Sequence, residues 1–88
     1  MIIRSQDKKA IVNLNNVDSI CTEHNVCEFD VVCYNGLQES RLKIGAYSTE
    51  EKAINVLDMI QSAYVELNLN YPQYVANGYF EMPQDSEV

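Results

Sequence analysis

The sequence lacks most of what catalysis or membrane insertion relies on. It has no tryptophan, one histidine, three glycines and two prolines in 88 residues. With His24 alone, no Ser/His/Asp arrangement can be built. The glycines stand singly at 36, 45 and 78, so no glycine-rich loop can cradle a phosphate. No stretch approaches the roughly 18 consecutive apolar residues of a membrane span. The opening Met1-Ile2-Ile3-Arg4-Ser5-Gln6-Asp7 has neither the apolar run nor the small-residue cleavage site of a secretory signal. Bases are scarce as well: six against 13 acids, for a net charge of −7. Such a chain cannot displace counterions from a phosphate backbone, which argues against direct nucleic-acid binding and against an anionic membrane surface. Three cysteines, an odd number in a chain without a secretory signal, argue against a disulfide framework. The expected location is a reduced cytoplasm.

What is present is a hydrophobic share of 47%, enough for one small core. A single domain over residues 1–88 is expected, with a β-meander in 1–47. Short strands are read at Ile2–Arg4, Ala10–Leu14 and Val17–Glu23, with turns at Asn15-Asn16 and His24-Asn25. The best local signal is Asn35-Gly36 between two alternating runs, since both residues tolerate the positive φ of a two-residue hairpin turn. That turn would pair Phe29 with Leu42 and Cys27 with Ile44 on an apolar face. Asp30 would meet Arg41, and Glu28 would meet Lys43, on the other. A one-residue slip would destroy both matches. The second face, with Ser19, Cys21, Glu28, Asp30 and Lys43, would be wet unless something covers it.

A helix is expected over 48–68. Ser48 and Glu51 match a capping box, and Ala53, Val56, Leu57, Ile60, Ala63, Tyr64 and Leu67 form one apolar stripe. Residues 69–83 read as a loop and a short terminal strand, with a turn signal at Asn77-Gly78, and 84–88 as a frayed tail. The architecture is therefore α+β: an antiparallel meander of four to five strands with one amphipathic helix packed on one face. Ile54 and Val65 lie off the apolar stripe, flanking Asp58 and Gln61. Burying two such side chains contributes roughly 2–5 kcal/mol, so their exposure points to a second interface, a homodimer first of all.

Charge is uneven. Residues 1–47 hold five bases and six acids, whereas 48–88 hold one base, Lys52, and seven acids. The acidic side invites contact with a basic partner, although charged helix faces also serve solubility. Tyr71, Tyr74, Tyr79 and Phe80 either seal the core or meet a partner, because tyrosine suits a half-wet site. Cys21, Cys27 and Cys33 recur every six residues, but two of them should face the core and one away, so no metal site is expected. Paired carboxylates such as Glu50-Glu51 fit a helix N-terminus better than acid–base chemistry.

The opening seven residues, the stretch Ile44-Gly45-Ala46-Tyr47-Ser48-Thr49-Glu50-Glu51-Lys52-Ala53 leading to Val56-Leu57-Asp58-Met59-Ile60, and the closing Tyr79-Phe80-Glu81-Met82-Pro83 resemble a group of short proteins of low-GC Gram-positive bacteria and their phages. The resemblance implies a meander plus one helix and an accessory role, with no site residues attached. The resulting expectation is a non-enzymatic acidic binding protein without cofactors, such as a phage-type inhibitor of a bacterial defence protein acting in the host cytoplasm. Its candidate partner contacts are Ile54, Asp58, Gln61, Val65, Glu66, Tyr71 and Tyr74. The alternatives are a structural accessory protein or a binder of a signalling nucleotide. The latter would use Arg4, Lys8, Lys9 and Arg41 for phosphate and Tyr79 or Phe80 for stacking.

Overall fold

The computed structural model describes residues 1–37, 39–70 (67–70 by backbone only) and 78–88. The strands are β1 (Ile2–Arg4), β2 (Ile11–Asn13), β3 (Ser19–His24), β4 (Phe29–Asn35), β5 (Ser40–Tyr47) and β6 (Tyr79–Glu81), and one helix, α1 (Glu50–Asn70), joins β5 to the last strand's side of the chain. The α+β class and the lone helix agree with the sequence. Among the described residues the strands number six and divide into two sheets, ordered β2-β1-β6 and β3-β4-β5. The first is mixed: β1 runs antiparallel to β2 and parallel to β6. The second is the antiparallel meander.

Both meander registers differ from the expected ones by four positions. Cys33 faces Leu42, Tyr34 faces Arg41 and Asn35 faces Ser40, so the ladder closes at Asn35 and Ser40 and the reversal is wider than two residues. Phe29 pairs with Tyr47, and Leu42 is half-exposed at 43%. The positive φ falls on Glu39, at 50°, and on no glycine. Side chains stabilise this wider turn. Asp18 Oδ2 accepts the Gly36 N–H at 2.6 Å, and Asn35 Oδ1 accepts the Leu37 N–H at 3.1 Å. Likewise β3 and β4 reverse over 25–28, where Asn25 N–H donates to Glu28 O, so Ile20 meets Cys33 and not Phe29. This leaves Cys27 exposed in a loop, not in the core. An even slip preserves which face each residue takes, so the inside–outside pattern cannot choose between these registers. An irregularity between Val31 and Val32 then shifts the last part of the ladder.

The core joins Val31, Cys33, Ile44 and Tyr47 of the meander to Ile3 and Val12 of the other sheet and to Ala53, Val56 and Ile60 of α1; Met1 and Met82 complete it. Gly45 lies close against Met82 and Tyr47, so a side chain here would oblige those neighbours to shift. A Cβ would lie 3.0 Å from Met82 Cε and from Tyr47 Cε2. Helix α1 begins one residue later than a Ser48 cap would place it. Thr49 Oγ1 accepts the Lys52 N–H at 3.1 Å, while Glu50 and Glu51 occupy the positive end of the dipole.

Ser48 instead belongs to a latch. Asp85 Oδ1 accepts both the Ser48 N–H (2.9 Å) and its hydroxyl (3.1 Å), and Lys52 Nζ donates to Asp85 O at 2.9 Å. The expected frayed tail is a 3-10 turn, Asp85–Glu87, tied to the start of α1. Its approach is fixed by Pro83 O, which accepts the buried Tyr47 hydroxyl at 2.8 Å. Gln6 joins the two sheets. Its side-chain amide accepts from Ala46 N–H and donates to Ala46 O, as a neighbouring strand would.

Candidate functional site

On a helix, positions i, i+4, i+7 and i+11 share one face. Ile54, Asp58, Gln61 and Val65 have that spacing, and all four are exposed on the side of α1 away from Ala53, Val56 and Ile60. Ile54 is 43% and Val65 46% exposed, with Met59 and Glu66 also open to solvent. The acids Glu50, Glu51, Asp58 and Glu66 are all exposed. The one base of α1, Lys52, is held by Asp85, with Nζ 3.5 Å from Oδ2. Tyr71 and Tyr74, the other expected partner contacts, lie outside the described residues, as does the turn expected at Asn77.

The expected nucleotide contacts divide. Arg4, Lys8 and Lys9 surround one small hollow with Ala10 and Ile11. Arg4 Nε donates to Lys8 O at 3.0 Å, and the Lys8 ammonium pairs with Glu81. Tyr79 is exposed and shares a sheet face with Arg4, because Ile2 pairs with Tyr79 and Arg4 with Glu81. Phe80 alternates to the opposite face and packs on the core. Arg41 is on the other sheet, where its Nη2 and Nε reach Glu23 Oε1 at 2.7 and 3.1 Å.

That Arg41–Glu23 contact belongs to a cluster that sequence reading missed. The Tyr34 hydroxyl donates to the other Glu23 oxygen, so Glu23, Tyr34 and Arg41 link three strands across one face. Val32, on the same face by alternation, is fully buried, and Asp30 is nearly so. Of the face expected to be wet, Ser19 and Lys43 are exposed and Cys21 and Glu28 half-buried, while Asp30 and Val32 are covered. Hydrogen bonds from Tyr34 and then Arg41 hold the Glu23 carboxyl below its ordinary range, while the bond to Glu23 raises the Tyr34 phenol. The signal that could have found this cluster is the excess of long polar side chains over one face. The partner of Arg41 was obscured by the register.

Burial and the nearby Cys21 push the Cys33 thiol up to about 11, so it stays protonated and inert. Burial likewise raises Tyr47 above the usual phenol range. His24 ends β3, stacked on Phe29 with centroids 4.6 Å apart. Among the described residues no group of three or more His, Cys, Asp or Glu is placed to hold a metal ion, and no helix is long and apolar enough to cross a membrane. The chain matches no protein-family model, no curated protein and no solved structure.

Proposed function

We propose that this chain is a non-enzymatic binding protein whose working surface is the outer stripe of α1, and that its partner is a basic protein. The observation that supports this reading is the charge of the helix. Four acids are exposed along it, and its one base is already held by Asp85. The carboxylates therefore remain for a partner. Surface charge of this kind steers encounter and selects partners, while Ile54 and Val65 add apolar contact. Together with the resemblance to short proteins of Gram-positive bacteria and phages, the concrete form of the proposal is an inhibitor that covers a basic groove of a bacterial defence protein in the host cytoplasm.

The stripe is also self-complementary. Two copies laid antiparallel about a two-fold axis set Ile54 against Val65 and Asp58 against Gln61. A homodimer through this stripe is the state we propose for the protein without its partner, so dimer and complex compete for one surface.

The test is capture from bacterial lysate by the immobilised chain at low and high salt. A basic protein should be retained at low salt and released as screening rises. It should be lost with Asp58→Lys plus Glu66→Lys, and with Ile54→Asp. Capture that survives both high salt and charge reversal contradicts the reading.

A further inference from the structure

The outer edge of β2 combines open backbone groups, an apolar cleft and the chain's one cluster of bases. Ser5 N–H donates to Ala10 O and Leu14 N–H to Met1 O. Backbone groups alternate sides along a strand, so Ala10, Val12 and Leu14 turn theirs toward β1, and Ile11 and Asn13 turn theirs away. Because β2 is the edge of its sheet, the N–H and C=O of Ile11 have no strand partner among the described residues. Beside them opens a cleft of 190 Å³ lined by Ile11, Val12, Val17, Cys33 and Leu42 among others. Ile11, at 59% exposed, and Leu42 stand on its rim. Ile11 also borders the hollow formed with Arg4, Lys8 and Lys9. Lys8 is paired with Glu81, and Asp7 accepts the Lys9 backbone N–H. Among the described residues neither the Arg4 nor the Lys9 side chain makes an ion pair, although the charge of Lys9 also acts on the neighbouring Asp7 carboxylate.

We propose that the β2 edge receives an extended segment of a partner protein as an added strand, with an aliphatic side chain in the cleft and an acidic side chain beside Arg4 and Lys9. The open groups of Ile11 require an extended backbone, since only a strand presents donor and acceptor in that alternation. The cleft selects the apolar residue. The bases select the acid, because a basic segment would be repelled at the end of the strand nearest Lys9. The shortness of β2 and the adjacent Lys9 guard this edge against apolar or basic strands, while the exposed Ile11 leaves it open to one that carries an acid. This surface is separate from the α1 stripe and opposite to it in charge preference.

The test uses acetylated synthetic peptides of about eight residues, the length of an ordinary strand, alternating Val with Glu, Val with Lys, or Ser with Glu. Binding is read by fluorescence anisotropy and located by amide shifts in NMR. The Val/Glu peptide should bind and shift the amides of Ile11–Asn13. Its affinity should fall at least about fivefold with Ile11→Asp and with Lys9→Glu, roughly a 1 kcal/mol loss per site. Ile54→Asp on α1 should leave it unchanged. Circular dichroism checks that each variant is folded. No binding of the Val/Glu peptide, equal binding of all three peptides, or shifts confined to α1 would overturn the proposal. So would a dimer abolished by Ile11→Asp, which would assign the edge to a second copy of the chain.

Discussion

Glu23, Glu39 and Asp85 show how single acidic side chains do different work in a chain with a large excess of them. Glu23 joins Tyr34 and Arg41 across three strands, on the sheet face that also carries the buried Val32. Asp85 binds the end of the chain to the start of α1. Glu39 does neither; it occupies the left-handed region at φ 50° in the reversal between β4 and β5, where a side chain crowds the backbone. Removing that side chain relieves the crowding, partly offset by the greater freedom of glycine in the unfolded chain. Glu39→Gly should stabilise the fold by about 0.5–1 kcal/mol, measured by urea denaturation. A loss of stability would show that Glu39 makes a contact worth more than its strain.

At the scale of elements, the C-terminal 3-10 turn acts as a cap on α1. The Ser48 backbone N–H is the largest cause holding the Asp85 carboxyl below its ordinary value of 3.8, followed by the Ser48 hydroxyl and Lys52. A carboxyl whose folded pKa is depressed stabilises the fold fully above its ordinary value, and that contribution fades as pH falls through the folded pKa. Asp85→Asn keeps an acceptor oxygen but loses the charge. It should melt below the wild type near neutral pH, and the gap should close as the pH drops below about 4, followed by thermal melts across pH. A gap of constant size would mean that the charge of Asp85 is irrelevant. The elements themselves were largely legible from sequence. β1, α1 and β6 were expected close to where they occur, because periodicity and the scarce Gly and Pro mark them well. The registers were not. Asn35-Gly36 was expected to make a two-residue turn, but Asp18 recruits the Gly36 N–H and Asn35 stays in the ladder opposite Ser40. A contact from a residue 18 positions earlier in the chain is not a local signal. The parallel pairing of β1 with β6 was illegible for the same reason, since its strands stand at the two ends of the chain. That Ile54, Asp58, Gln61 and Val65 share one exposed helix face was readable because helical spacing is local. Gln6, Tyr34 and Glu23 were missed because their roles depend on partners brought near only by folding.

The whole molecule is electrically two-sided. The two sheets with their loops hold five bases and seven acids, with the bases Arg4, Lys8 and Lys9 by the β2 edge and Glu81 of β6 paired to Lys8, while α1 and the chain end hold six acids and one base. Two surfaces of unlike character follow, an acidic helical stripe and a sheet edge with bases beside an apolar cleft. Separating charge this way costs some compactness through self-repulsion, and it makes association sensitive to salt. The proposed partner sits on the stripe of α1. The most direct measurement places a photo-crosslinking residue at Gln61, in the middle of the stripe, and in a second variant at the half-buried Cys21, opposite Val32 in the meander. Irradiated in bacterial lysate at low salt, the Gln61 variant should join covalently to a basic protein, and the Cys21 variant should not. Adducts from position 21, with none from position 61, would contradict the account.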